Sequence, residues 1–159
     1  VMANGSLNYT VKGICIGMKV IWNYTPPTNG GDTFTSIKKG SKATLKIVQD
    51  EKNGFVKELY IQKEPDIDNR TFEAQLQKTV EQLQITYPFL SVKNKKNGTY
   101  LIDIPQEKRL GHEEHFSKVA KAFLHYVHNQ DMPEWENENT LAKYYITTTA
   151  VEMAKKGNK

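Results

Sequence analysis

Cysteine is nearly absent from this chain of 159 residues, since Cys15 is the only one. A single thiol excludes an internal disulfide, so the fold must be held together by packing and hydrogen bonds alone. The apolar context from Ile14 to Met18 predicts a buried, unreactive thiol rather than a catalytic nucleophile.

Long apolar runs are absent as well. No segment approaches the roughly 20 apolar residues that span a bilayer. The first residues have neither the basic region nor the apolar run of a signal peptide, and the chain begins with Val1 instead of Met. We therefore expect a soluble piece of a longer protein, without a membrane partner, from either the cytoplasm or the periplasm.

Three nucleotide-binding and hydrolase motifs do not occur. The sequence contains no Gly-x-Gly-x-x-Gly, no P-loop and no Gly-x-Ser-x-Gly. These absences exclude the usual dinucleotide site, a phosphate-binding loop and the nucleophile elbow of many hydrolases. We accordingly predict neither a catalytic residue nor a cofactor-binding residue within this chain.

The charge pattern argues against a nucleic-acid partner. The net charge is +4, and the densest basic cluster is Lys93, Lys95 and Lys96 beside Asn97 and Gly98. Nucleic-acid binding calls for a basic stripe with interleaved aromatic residues. An Asn-Gly pair is instead typical of a tight turn, so this cluster indicates a solvated hairpin tip.

The hydrophobic pattern predicts an α+β fold. Alternating apolar and polar residues favour strands at 6–11, 14–24, 33–38, 43–49, 55–62, 89–93 and 99–104. Helical spacing favours helices near 71–87, 116–127 and 139–155, with a link at 131–136. Short turns between consecutive strands predict an open, mainly antiparallel sheet with helices packed on one face, in a single domain over 1–159.

Two predictions concern packing. Phe123 lies in the middle of the apolar stripe of the second helix, so we expect it in the core, where its loss would cost about 3–5 kcal/mol. Several strands carry apolar residues on both faces, and helices can cover only one of them. The face away from the helices is therefore predicted to be an association surface, for another domain or another copy.

The first candidate site is the segment Gly30-Gly31-Asp32-Thr33. Two glycines let the backbone approach a ligand, and Asp32 and Thr33 offer oxygens to the hydroxyl groups of a substrate. The alternative is a wide loop in which both side chains bond to nearby backbone groups.

The second candidate site is the pair His112 and His115. Residues three apart share one face of a helix, which is compatible with a metal site, with ligand binding or with an interdomain contact. No third ligand is evident nearby, so we predict no metal. The alternative is a helix start at which Glu113 and Glu114 interact with the helix dipole. His125 and His128 are also three apart and are expected to be surface residues.

Several segments together resemble a known family. They are Val20–Pro27 (VIWNYTPP), Gly31–Thr33, Lys39–Ala43 (KGSKA), Arg109–Phe116 (RLGHEEHF) and Leu141–Ala154 (LAKYYITTTAVEMA). The set resembles the C-terminal domain of the Gfo/Idh/MocA oxidoreductases, more narrowly the form found in Bacteroidetes-type bacteria. The resemblance covers most of the chain.

The resemblance implies a function for the longer protein. Members of the family pair an N-terminal Rossmann domain, which binds NAD(P) and carries a catalytic lysine, with a domain that lines the substrate site and often mediates oligomerisation. Substrates are typically sugars or polyols. The resemblance also implies histidine after Gly-Asp-Thr, where this chain has Phe34.

The prediction is thus a detached substrate-side domain of an NAD(P)-dependent sugar or polyol oxidoreductase, inactive alone. Asp32, Thr33, His112 and His115 are its expected substrate-binding residues, and the N-terminal Rossmann domain and a second copy are its expected partners. The alternative is a stand-alone carbohydrate-binding or protein-interaction module. In that module Trp22, Tyr24 or Trp135 would stack on sugar rings.

Overall fold

The computed structural model describes residues 4–157 and confirms the α+β class. It contains seven strands in two antiparallel sheets and three helices. In chain order these elements are β1 (Gly5–Val11), β2 (Ile14–Val20), β3 (Phe34–Lys39), β4 (Ala43–Gln49), β5 (Glu58–Lys63), α1 (Asn69–Gln84), β6 (Ser91–Asn94), β7 (Thr99–Asp103), α2 (His112–Asn129) and α3 (Glu134–Gly157).

The chain forms two compact units. One contains the residues up to Thr25 together with those from His112 onward, and the other contains 26–111. The first unit thus holds the β1–β2 hairpin, α2 and α3. The second holds α1 and a five-stranded sheet with strand order β3-β4-β5-β7-β6.

The β1–β2 hairpin closes where the sequence predicts. Lys12 and Gly13 both have positive φ, as a two-residue hairpin turn requires. β2 ends at Val20 rather than continuing to Tyr24. Val20 pairs with Gly5. Beyond this pair a side chain takes the place of the strand–strand hydrogen bonds: the Asn4 amide oxygen accepts a hydrogen bond from the Trp22 backbone N–H at 2.6 Å.

Helix α1 covers one face of the five-stranded sheet. Its cap is Asp68, whose carboxylate accepts hydrogen bonds from the backbone N–H and the hydroxyl of Thr71, both at 2.8 Å. Val80 is buried beneath the helix against Leu90 and Ile102. The partly buried residues around this cluster are Leu59, Ile61, Leu76, Phe89, Val92 and Ile104. This interface is the main core of the described chain.

A second group of contacts joins α1 to the end of the sheet. The Glu73 carboxylate accepts from the Tyr100 hydroxyl at 2.8 Å and from the Asn94 amide at 3.1 Å. Burial and this hydrogen bond raise the pKa of Tyr100 to about 12. The rings of Phe72 and Tyr100 lie 5.6 Å apart. These contacts fix the first half of the helix over β7 and β6.

Lys63 ties the connector before α1 to the sheet. Its side chain is buried, and its ammonium group donates to the carbonyl oxygens of Glu64 (3.0 Å), Pro65 (3.4 Å) and Ile67 (2.5 Å). A buried cation is tolerated because three acceptors replace its water. The connector therefore has a defined path even though Asp66 in it is exposed.

The sheet face opposite α1 mixes apolar and charged residues. One row across it, following the pairing register, is Ile37, Lys46, Tyr60, Leu101 and Lys93. Leu101 is buried and Tyr60 is half-buried, whereas Ile37 is exposed. Whether this face associates with another domain or copy stays a prediction.

Two packing predictions and one helix boundary are wrong. Phe123 is 63% exposed, and α2 has no buried residue, so its apolar stripe is not core within this chain. Cys15 is exposed, with its sulfur 3.9 Å from the Thr10 hydroxyl. Residues 134–136 of the expected link belong to α3, because Glu134 and Glu136 favour the positive end of the helix dipole just after Pro133.

None of the helices within residues 4–157 is both long enough and apolar enough to cross a membrane.

Candidate functional site

The segment before β3 is shaped by a close approach of the backbone to Pro27. The Gly30 N–H donates to the Pro27 carbonyl oxygen at 2.7 Å. A Cβ on Gly30 would lie 2.7 Å from the Pro27 ring and 2.8 Å from that oxygen, closer than a side chain tolerates. Glycine is therefore required here. The turn delivers Asp32 and Thr33 to the position just before the first sheet residue of β3.

Asp32 and Thr33 are both exposed. Within the part of the chain that the structure describes, neither side chain makes a hydrogen bond or ion pair. Local bonds to the backbone, which were the alternative explanation for these residues, do not occupy them. An exposed carboxylate next to an exposed hydroxyl, neither of them already hydrogen-bonded, can bind the hydroxyl groups of a ligand.

Phe34 follows this pair and begins β3. Its ring lies 5.2 Å below the Lys57 ammonium group, in a cation–π arrangement. Phe34 is part-exposed and cannot supply the hydrogen bonds of the histidine that the resemblance implies. Any polar recognition at this edge therefore falls to Asp32 and Thr33.

His112 and His115 lie in the first turn of α2, as the sequence predicts, and both are exposed. The His112 ring packs edge-on against Phe116, with ring centroids 4.8 Å apart and planes at 79°. Two carboxylates, Glu113 and Glu114, share this turn. Among residues 4–157, no three or more His, Cys, Asp or Glu side chains are placed to hold a metal ion.

The structure groups the four candidates as two pairs. Asp32 and Thr33 are adjacent in the unit of the five-stranded sheet, and His112 and His115 share a helix turn in the other unit. The second histidine pair lies at the other end of α2. There His125 bonds to Asp131 at 3.0 Å and to Asn129 at 2.9 Å, so it stabilises the helix end.

An open cleft on the sheet face opposite α1 was not predicted from the sequence. It has a volume of about 380 Å³ and is lined by Val48, Asp50, Lys52, Asn53, Glu58, Tyr60 and Lys95. The Tyr60 hydroxyl donates to Glu58 at 2.5 Å. This bond, with partial burial and the nearby carboxylates, raises the pKa of Tyr60 to about 12.

One side of the cleft is a local turn that a sequence pattern could have indicated. Asp50 and Asn53 form a capping box, in which each side chain bonds to the backbone of the other. Gly54 and Phe55 both have positive φ, so the chain turns more widely than in a two-residue hairpin. β5 consequently starts at Glu58 and not at Phe55.

Trp22, Tyr24 and Trp135, the residues of the alternative carbohydrate-binding module, are exposed, and Trp22 is 75% exposed. Exposure of single aromatic residues is common on protein surfaces and does not by itself indicate a sugar site.

Comparison with known proteins identifies the family. A family model described as "Putative oxidoreductase C terminal domain" matches residues 1–155. The chain belongs to this family. The domain is also similar to a solved protein from Parabacteroides merdae, described as a putative oxidoreductase, with a TM-score of 0.92 and 40% sequence identity. No curated protein sequence matches it.

The similarity is unequal in extent. It covers 97% of this oxidoreductase C-terminal domain but only 35% of the Parabacteroides protein. This domain therefore spans about a third of the length of its solved relative.

Proposed function

We propose that this domain forms the substrate side of an NAD(P)-dependent oxidoreductase of the Gfo/Idh/MocA type, acting on a sugar or polyol and inactive without its N-terminal domain. The observation that carries the proposal is the match of residues 1–155 to an oxidoreductase C-terminal domain that is about a third of its solved relative. An N-terminal Rossmann domain would supply the cofactor and the catalytic lysine.

The N-termini of the three described α-helices do not fit a dinucleotide. A pyrophosphate binds at a helix N-terminus through free N–H groups and the positive end of the dipole. Here Asp68 caps α1, while Glu113 and Glu134 stand in the first turns of α2 and α3. A carboxylate at each position repels a pyrophosphate. We therefore assign no cofactor contact and no redox step to this chain.

Asp32 and Thr33 are the proposed hydroxyl-binding pair. Both are exposed, and neither side chain is occupied by another described residue. A carboxylate accepts hydrogen bonds from vicinal hydroxyl groups, and a threonine hydroxyl both donates and accepts. These properties suit a polyhydroxylated substrate better than an apolar one.

His112 and His115 are proposed to bind a substrate hydroxyl or to assist proton transfer. An imidazole can accept and release a proton near neutral pH, which a hydroxyl-oxidising enzyme requires. Both histidines are exposed, and contact with the Phe116 ring restricts the orientation of His112.

Association of two copies is part of the proposal. The face opposite α1 carries the exposed Ile37 together with the half-buried Val48 and Tyr60, which a second copy would cover. Light scattering of the domain at tens of micromolar is expected to give a dimer. A monomer at that concentration would contradict this part of the proposal.

Steady-state kinetics of the full-length oxidoreductase, with a panel of sugars and polyols, tests the substrate-side assignment. Asp32→Asn and Thr33→Val are expected to raise KM more than they lower kcat, by about tenfold each if one hydrogen bond is lost. The matched controls are Asp66→Asn and Thr86→Val, which change exposed residues of the same types away from the 27–34 segment. If the site variants behaved like the controls, Asp32 and Thr33 would not be substrate residues.

A further inference from the structure

Helix α2 exposes its most apolar side to solvent. We call this the α2 apolar face. It comprises Phe116, Val119, Phe123, Leu124 and Val127, which are 55–66% exposed. The spacing of three and four residues places all five on one side of the helix.

The contacts of α2 within this chain lie elsewhere on the helix. Its half-buried residues are Ala122 and Tyr126, four positions apart. At 3.6 residues per turn their common direction is roughly a quarter-turn away from the centre of the α2 apolar face. Within residues 4–157, α2 therefore packs by a neighbouring side, and its larger apolar side has no cover.

The size of this face indicates what kind of partner it fits. From the exposed fractions, the five side chains present on the order of 500 Å² of mostly apolar surface, as large as the main functional patch of a typical monomer. Contacts between domains of one chain bury about 600–1,500 Å² in total, or roughly 300–750 Å² per side. A stable association of separate molecules needs about 800 Å² per partner. The α2 apolar face suits an interdomain contact.

The occupant follows from the family. An oxidoreductase C-terminal domain has an N-terminal partner domain, and about two-thirds of the Parabacteroides protein lies outside the region of similarity. We propose that the α2 apolar face is the docking surface for that N-terminal domain. The proposal rests on the proposed function only for the existence of that domain, and on neither its cofactor nor its substrate.

Docking at this face has a consequence for His112. Its ring contacts Phe116, so it lies at the edge of the α2 apolar face. A domain seated on Phe116 therefore brings its own residues next to His112. The interface and the candidate substrate residue at the start of α2 meet at this position.

Site-specific photocrosslinking in the full-length oxidoreductase tests the docking. A benzophenone amino acid replaces Val119 on the α2 apolar face or, as the matched control, Lys118 on the opposite side of the same turn. We expect intramolecular cross-links from position 119 to peptides of the N-terminal domain, and none from position 118. Cross-links from position 119 to a second copy, to residues of the C-terminal domain only, or to nothing would each overturn the proposal.

A second measurement separates loss of docking from loss of folding. Phe116→Ser with Phe123→Ser is compared with Lys118→Ser with Lys121→Ser, both in the isolated domain and in the full-length protein. In the unaltered proteins, amide exchange in α2 is expected to be at least about tenfold slower in the full-length protein than in the isolated domain. The apolar pair should abolish that protection and the lysine pair should not. Equal exchange in the two unaltered proteins would refute the docking.

These outcomes are independent of the proposed activity. Neither measurement requires a nicotinamide cofactor or a sugar. A full-length protein that cross-links from position 119 but binds no dinucleotide would retain the docking surface and refute the proposed function. A full-length protein that binds a dinucleotide but gives no cross-link from position 119 would refute the docking alone.

Discussion

The location of the core can be tested with two truncations to alanine. Ile102 is 9% exposed, packs under Val80, and is flanked on its two neighbouring strands by Leu59 and Val92. Ile102→Ala leaves a cavity between α1 and the sheet and should cost about 2–5 kcal/mol. Phe123 is 63% exposed, so only about a third of its side chain is removed from water.

The expected effect of Phe123→Ala follows from that fraction. Complete burial of a large apolar side chain contributes about 1.5–3 kcal/mol, so a third of it is worth about 0.5–1 kcal/mol, with no cavity term. The same substitution of a phenylalanine in the core would instead lower the free energy of unfolding by about 3–5 kcal/mol. The two cases differ by several-fold, which is well beyond the error of a denaturation experiment.

Urea unfolding of the isolated domain, followed by fluorescence and circular dichroism, measures both changes. The midpoint should fall strongly for Ile102→Ala and little for Phe123→Ala, with the denaturant slope unchanged in both. A loss above about 2 kcal/mol for Phe123→Ala would mean that α2 is packed in solution by its apolar face. That result would refute the exposed α2 apolar face, whereas a loss below about 1 kcal/mol for Ile102→Ala would refute the assignment of the core to the α1 interface.

Three further predictions concern single groups. Lys63→Met should lower the free energy of unfolding in urea by about 2–3 kcal/mol, because three carbonyl oxygens lose a charged donor. A loss below about 0.5 kcal/mol would show that water replaces the ammonium group at these oxygens without cost. Asp68→Ala should lower the melting temperature, whereas Asp68→Asn should largely preserve it because an amide oxygen also caps a helix. The hydrogen bonds from Thr71 lower the pKa of Asp68, so the cap should weaken as the pH falls below the usual pKa of an aspartate. Equal melting temperatures for the two variants would contradict the role of the cap. The pKa values of Tyr60 and Tyr100 are raised to about 12 in the folded state. The stability that these two groups contribute should therefore be fully present below about pH 10 and be lost as the pH rises towards 12. The double variant Tyr60→Phe with Tyr100→Phe should show a smaller loss of stability over this range, and an unchanged dependence of stability on pH would refute the raised pKa values.

Much of the sheet was predictable because its determinants are local. Alternation, Asn-Gly turns and the positive φ at Gly13 and Gly98 fix where strands end and reverse. The apolar stripe of α1 was also predictable from its spacing, and Val80 in the centre of that stripe is buried. The end of β2 was not predictable, because it depends on a side chain far along the sequence: Asn4 accepts a hydrogen bond from the Trp22 backbone.

The α2 apolar face shows what periodicity does not contain. Spacing identifies which side of a helix is apolar, and that identification holds for Phe116, Phe123 and Val127. It does not identify what covers that side. The prediction that Phe123 is core assumed a cover within the chain, whereas the structure leaves this side exposed.

The substrate-binding role of Asp32, Thr33, His112 and His115 stays a prediction, to which the structure adds the local geometry of each pair. Gly30 is required by the approach to Pro27, and Asp32 and Thr33 are unoccupied, as a ligand-binding role demands. The cleft at Tyr60 escaped prediction because its residues come from two hairpins, and such contacts depend on the folded sheet. No alternation or spacing rule joins Lys95 to Asp50.

Binding of nicotinamide dinucleotides tests the central claim most directly. Isothermal titration with NAD⁺, NADH, NADP⁺ and NADPH is carried out on this domain and on the full-length oxidoreductase. We expect binding by the full-length protein and none by the domain, because α1, α2 and α3 each carry a carboxylate at the N-cap or in the first turn. A dissociation constant for the domain tighter than about 100 μM, roughly 5.5 kcal/mol, or a full-length protein that binds none of the four, would contradict it.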